Sequence, residues 1–134
     1  MLFNKKNFDL LNGFDEKFFL FYEENDICKR GNYKKMFSYQ LNTIKIRHIS
    51  GTSVDYSNKK EKNKYEYIRN FHLVKSKIYY LRKHFGFFLV IIYTLVFVIR
   101  IFIKSIFYLI LRRKKPLDKN LVRLKAVWSF INEI

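Results

Sequence analysis

Asp15, Glu16, Glu23, Glu24 and Asp26 place five carboxylates within a dozen residues of a chain whose formal net charge is +16. Six of its eleven acids fall in the first 30 residues. Gly13 precedes this cluster, and Phe18-Phe19-Leu20-Phe21-Tyr22 runs through its middle. A solvated acidic face has no need of such an insert; a continuous apolar run reads as a strand or turn buried on both sides. It would bring Glu23, Glu24 and Asp26 to the edge of a core, where carboxylates act as a base or as part of a metal site. The plainer alternative is that acids at a helix start complement the helix dipole, with no catalysis involved.

The elements that must carry these residues are short. Residues 4–11 predict a helix with Phe8, Leu11 and Leu10 on its packing side, stopped by Asn12-Gly13. Residues 23–30 predict a second helix, closed by Gly31-Asn32. Residues 33–39 and 43–48 predict two short strands, and residues 50–53 a loop. Lys59–Phe85 predicts a long basic helix on which Tyr65, Ile68, Leu73, Ile78, Leu81 and Phe85 recur at mixed spacing. His72 and His84 on that helix read as surface residues. The single Cys28 excludes an intramolecular disulfide and reads as a small, buried helical residue, not a reactive thiol.

Residues 85–111 differ from everything before them. As a helix they would be about 40 Å long, enough to cross a bilayer. Arg100 and Lys104 interrupt the apolar stretch at i, i+4 and so share one face. Basic residues flank both ends: Lys75, Lys77, Arg82 and Lys83 before, Arg112 to Lys115 after. A single crossing would leave one basic flank outside, against the positive-inside tendency. The favoured expectation is an interfacial or re-entrant helix at the anionic cytoplasmic leaflet, with both cations snorkelling to the headgroups. Pro116 then breaks the helix. Residues 117–134 predict an amphipathic helix with Leu121, Leu124, Val127, Trp128 and Ile131 on one side, Trp128 packing in a small core.

The acid-rich segment resembles the C-terminal part of the catalytic domain of family 2 glycosyltransferases, especially the rhamnosyltransferase-like members. The residues that carry the likeness are Asn12-Gly13-Phe14-Asp15-Glu16, the aromatic run, and Glu23-Glu24-Asn25-Asp26-Ile27-Cys28-Lys29-Arg30. His48-Ile49-Ser50-Gly51-Thr52-Ser53 resembles the family's His-x-x-Gly-x-Ser loop, and Arg69-Asn70 an Arg-Asn pair in the helix that follows. Asn12 replaces a glycine and Glu24 an aspartate of the family pattern, both mild changes.

That resemblance implies an α/β fold class: residues 1–58 as the C-terminal remnant of a GT-A, Rossmann-like catalytic domain. A basic amphipathic helix (59–84), a membrane-associated helix (85–111) and a C-terminal amphipathic helix (112–134) would follow. It implies an inverting sugar transfer from a nucleotide-diphosphate sugar to a glycan or lipid-linked acceptor in cell-envelope polysaccharide biosynthesis, at the cytoplasmic face of the membrane. Glu24 becomes the candidate base, with Glu23 and Asp26 beside it. Gly13, Asp15 and Glu16 would face the acceptor, Arg69 the donor phosphate, and His48 a divalent cation, Mg or Mn. No Asp-x-Asp pair and no Gly-rich phosphate loop occurs in the sequence. The resemblance therefore implies a chain that starts inside its catalytic domain, is inactive alone, does not hold the cation by itself, and has a separate N-terminal half among its partners.

Composition narrows the alternatives. Hydrophobic residues make up 49% and aromatics 19%, which argues against a disordered chain. The 27 Lys and Arg residues would suit nucleic acid, but no recognition motif accompanies them, and the apolar stretch is too long for a soluble module, so no nucleic-acid partner is expected. A non-enzymatic basic module on an anionic membrane surface is the remaining alternative.

Overall fold

The structure is a computed structural model and describes residues 2–43, 45 and 58–133. Among these residues every regular element is helical: α1 (Lys5–Leu10), α2 (Glu23–Tyr33), α3 (Lys59–Phe85), α4 (Phe87–Ile110) and α5 (Lys114–Ile131). The expected α/β, Rossmann-like class is therefore overturned; the described residues form a helical bundle with no strand or sheet. Tyr33 closes α2 instead of opening a strand, and residues 36–42 are irregular. Most of the second expected strand, His48 included, lies outside the described residues.

Local chemistry sets the helix ends. Asn4 and Asn58 cap α1 and α3, their side chains accepting from the amides of Asn7 and Lys60. Three helices stop through the same device, a left-handed residue after the cap with a bond back to the amide's fifth predecessor. The left-handed residues are Asn12 (φ 57), Lys35 (φ 58) and Arg112 (φ 52). The matching bonds run from Gly13 N–H to Phe8 O, Met36 N–H to Gly31 O, and Arg113 N–H to Tyr108 O. Asn12-Gly13 ends α1 as its sequence predicts. Gly31 does not end α2 but sits inside it, where a Cβ would come within 3.0 Å of the Met36 carbonyl oxygen. Nor does Pro116 break α4: the stop is Arg112, and Pro116 lies in the first turn of α5, where a missing N–H costs nothing.

α3, α4 and α5 make the core. Gly86, at φ 84, lets the chain reverse between α3 and α4 with one residue. Lys119 pairs with Glu66, Arg123 with Asn70, and Glu133 with Lys75, so α5 runs parallel to α3. At the other face of α5, Asn120 donates to Ser105 of α4. Val74 and Ile78, Val90, and Ala126, Val127 and Phe130 pack together between the three helices. Full burial of one such side chain stabilises by about 1.5–3 kcal/mol.

The buried face of α5 matches the expected one only in part: Val127 is buried, but Trp128 is 66% exposed, and Leu121 and Ile131 are exposed with it. α5 has two apolar sides, and only the one bearing Ala126, Val127 and Phe130 meets α3 and α4. Sequence periodicity ranks both alike; packing selects one.

The aromatic run is likewise no buried strand. Phe18 is buried, while Phe19 is 71% exposed. The run turns sharply, with Phe21 (φ 67) and Tyr22 (φ 69) both left-handed, a costly conformation for bulky residues. Ring contacts to α3 hold it there: Phe18 on Tyr79, Phe19 on His72 and Tyr22 on Tyr80, with centroids 4.8, 4.5 and 5.3 Å apart. These contacts lie at two levels of α3, His72 at one and Tyr79 with Tyr80 about two turns further on.

Candidate functional site

The strained turn delivers α2 against the C-terminal third of α3, and the acids divide there into two groups. Asp15 and Asp26 point inward; Glu16 and Glu24 are exposed. Asp26, in the first turn of α2, is fully buried. Its Oδ1 lies 2.8 Å from His84 Nε2 and 2.7 Å from Lys83 Nζ, and its Oδ2 accepts from Arg30 Nε at 2.8 Å. Lys83 also reaches Asp15 Oδ2 at 2.7 Å, and the Tyr79 hydroxyl donates to the same oxygen at 2.8 Å. The Lys17 amide donates to the other Asp15 oxygen.

These contacts control the charges. Burial alone would raise the Asp15 carboxyl, but the hydrogen bonds from Lys83, the Lys17 amide and Tyr79 outweigh it and lower the pKa to about 2. Burial likewise opposes ionisation of Asp26, and its bonds from Lys83, His84 and Arg30 win, leaving it below the usual carboxylate range. Tyr79 is pushed up to about 12, by burial and then by Asp15, so its hydroxyl stays a donor. The cluster is a set of satisfied ion pairs: two carboxylates against Lys83 and Arg30, with His84 completing the shell.

Arg30 extends the cluster to α1. Its guanidinium donates through Nη2 to Gly13 O at 2.7 Å and through Nη1 to Leu11 O, while Lys34 donates to Leu10 O at 2.8 Å. Two cations thus meet carbonyls that the short α1 leaves unpaired. Gly13 itself takes φ 64, where its missing Cβ would stand 3.3 Å from the Phe8 ring.

The expected site residues therefore separate. Asp15, Asp26 and Gly13 belong to one network that ties α1 and α2 to α3. Glu24 is exposed in the first turn of α2. Glu23 is partly buried, and its Oε2 has no hydrogen-bond partner among the described residues; the positive end of α2 is the favourable place for that charge. Arg69 is exposed on α3, far along the helix from Lys83; its neighbour Asn70 is spent on Arg123 and Glu66. His48 lies outside the described residues.

Reading the sequence missed His84, Lys83 and Tyr79. His84 is no surface residue, its side chain being only 3% exposed; His72 is also partly covered, by Phe19 and Phe71. Asp26 and His84 are 58 residues apart, and no local spacing connects them. Cys28 is partly buried on α2.

The divalent cation implied by the resemblance finds a poor donor set here. Among the described residues no three His, Cys, Asp or Glu side chains gather to hold a metal. The oxygens of Asp15 and Asp26 already face the Lys83 ammonium and the Arg30 guanidinium, charges that repel a divalent ion. Comparison with protein-family models, curated proteins and solved structures finds no match to this chain.

Proposed function

We propose that this chain is the C-terminal, acceptor-side part of an enzyme that moves a sugar from a nucleotide-diphosphate donor to a glycan or lipid-linked acceptor at a membrane surface. What supports the reading is the ordered likeness of residues 12–30, 48–53 and 69–70, together with one geometric observation. Glu24 is exposed on the first turn of a helix that Asp26 and Arg30 anchor from below. A general base must reach its substrate while its backbone stays fixed, and Glu24 meets both requirements.

In that role Glu24 takes the proton of an acceptor hydroxyl as its oxygen bonds to the anomeric carbon. The bond from that carbon to the diphosphate breaks in the same displacement, which inverts the centre. Offsetting the charge of the departing diphosphate falls, on this reading, to a separate N-terminal half, so the chain alone is expected to be inactive. Asp26, Asp15 and Arg30 act one step back, holding the segment that presents Glu24.

α4 favours membrane association. It has 24 residues, about 36 Å of helix at the usual rise, and only 11% of its apolar window is buried. Arg100 and Lys104 are exposed on it, placed to reach headgroups from a helix lying at the cytoplasmic interface. A basic membrane-surface module without chemistry uses the same features.

Glu24→Gln in the complete enzyme separates the two readings. Sugar transfer is expected to fall by about 10²–10⁴ in kcat, the range for removing a general base, with vesicle binding unchanged. Transfer at the wild-type rate would sink the assignment of Glu24; turnover by the isolated 134-residue chain would sink the acceptor-side reading.

A further inference from the structure

A cleft of ≈ 720 Å³ opens between α3, the end of α5 and the aromatic turn. Lys17, Lys75, Arg82 and Lys83 line it, with His72 on its wall. Glu133 is its sole carboxylate among the lining residues. That acid is matched by Lys75, whose Nζ lies 2.6 Å from Glu133 Oε1, and Lys83 is matched from behind by Asp15 and Asp26.

Two cations are left over. Among the described residues neither Lys17 nor Arg82 pairs with a carboxylate. Each instead lies on an aromatic face: Lys17 5.9 Å from the Tyr79 centroid, Arg82 5.9 Å from that of Phe130. Two unspent, solvent-exposed cations beside one concavity attract a compact anion.

We propose that this cleft is a phosphate site, taking a ligand with one or two phosphate groups carried on an organic body. The guanidinium of Arg82 suits two oxygens of a phosphate, and the Lys17 ammonium a third. The volume exceeds what phosphate alone needs and falls within the range of small-molecule sites. Exposed Phe19 and the Phe130 ring offer apolar walls for the rest of the ligand. This site is separate from Glu24, and it stands whether or not the sugar-transfer reading holds.

His72 gives the site a built-in reporter. Burial, and then the charge of Lys75, holds it below the usual histidine range. Phe19 covers its ring, and no carboxylate pairs with it among the described residues. A phosphate dianion in the cleft counters the cations around it.

The experiment uses the full chain in detergent micelles, with inorganic pyrophosphate as the soluble probe. The His72 ring resonance, assigned by its loss in His72→Asn, is titrated with pH at zero and saturating pyrophosphate. An upward shift of its midpoint is expected. Lys17→Gln with Arg82→Gln is expected to weaken pyrophosphate binding at least about tenfold, as for lost bonds to a charged group. Lys114→Gln with Lys115→Gln, which removes the same charge far from the cleft, is expected to change it less than about twofold. No response of His72 in the wild type, or equal losses in the two double variants, would overturn the proposal; the wild-type response does not depend on any variant folding.

Vesicles of phosphatidylcholine with phosphatidic acid supply the second arm. If the cleft variant loses affinity for both probes, the phosphate is a lipid headgroup; if for pyrophosphate alone, it is a soluble ester.

Discussion

His84 Nε2 stands 2.8 Å from Asp26 Oδ1, and both side chains are essentially shut off from solvent. This contact joins α2 to the last turn of α3. Lys83, one residue earlier, bridges Asp26 to Asp15, so two consecutive residues of α3 gather both inward-facing acids. The acid-rich segment is held by a carboxylate that cannot be spared.

Asp26→Asn tests that statement. The change leaves Lys83, Arg30 and His84 facing a neutral amide in a buried setting. Stability is expected to fall by about 3 kcal/mol, the lower end for breaking a buried pair, since Lys83 and Arg30 keep some solvent contact. Glu24→Gln, at an exposed position, is expected to stay within about 0.5 kcal/mol of wild type. Urea unfolding followed by helicity measures both, and equal midpoints for the two variants would refute the tether.

Acid should loosen the same joint. Asp15 has a pKa of about 2 in the fold against 3.8 ordinarily, so its contribution is complete above about pH 4 and lost as pH falls towards 2. Asp26 is lowered too and contributes in the same direction. The urea midpoint is expected to drop between pH 4 and 2, and Asp15→Asn to flatten part of that drop while lowering the midpoint at pH 7. A variant whose acid profile parallels wild type would show that the Lys83–Asp15 pair carries no stability.

α4 yields the third expectation. Ile99 is 57% exposed, so Ile99→Asp touches little of the core. Helical content of the chain in mild detergent should remain as in wild type. Partitioning onto vesicles of anionic lipid should fall by about 2.5–3.5 kcal/mol if the helix centre sits in hydrocarbon, and by less for a helix lying at the interface. Sedimentation with the vesicles reads the difference, and unchanged partitioning would remove α4 from the membrane.

Local patterns carried much of this architecture. Asn4 and Asn58 announce helix starts, Asn12-Gly13 announces a stop, and α3 spans Lys59–Phe85 as predicted, whereas the helix expected over 85–111 is interrupted at Gly86 and begins at Phe87. Capping and hydrophobic runs act over a few residues and so are legible in one dimension. The strands expected at 33–39 and 43–48 came from short alternating runs and from the resemblance; Tyr33 joins α2 instead, because Lys35 supplies the left-handed stop four residues beyond Gly31. The acids of the candidate site were legible as a cluster, but not which of them turn inward.

Residue order alone fixed where α1 and α3 begin and end, the run of apolar residues in α4 and the concentration of carboxylates before Arg30. Tertiary packing decided that Asp26 is buried and Glu24 exposed, that Trp128 faces outward, and that His84 becomes a partner. Those outcomes depend on the rotation of α3 and α5 about their own axes, which only contacts between distant segments can set. A charge survives burial when counter-charges arrive from elsewhere in the chain, and Lys83 and His84 reach Asp26 from 57 and 58 residues away.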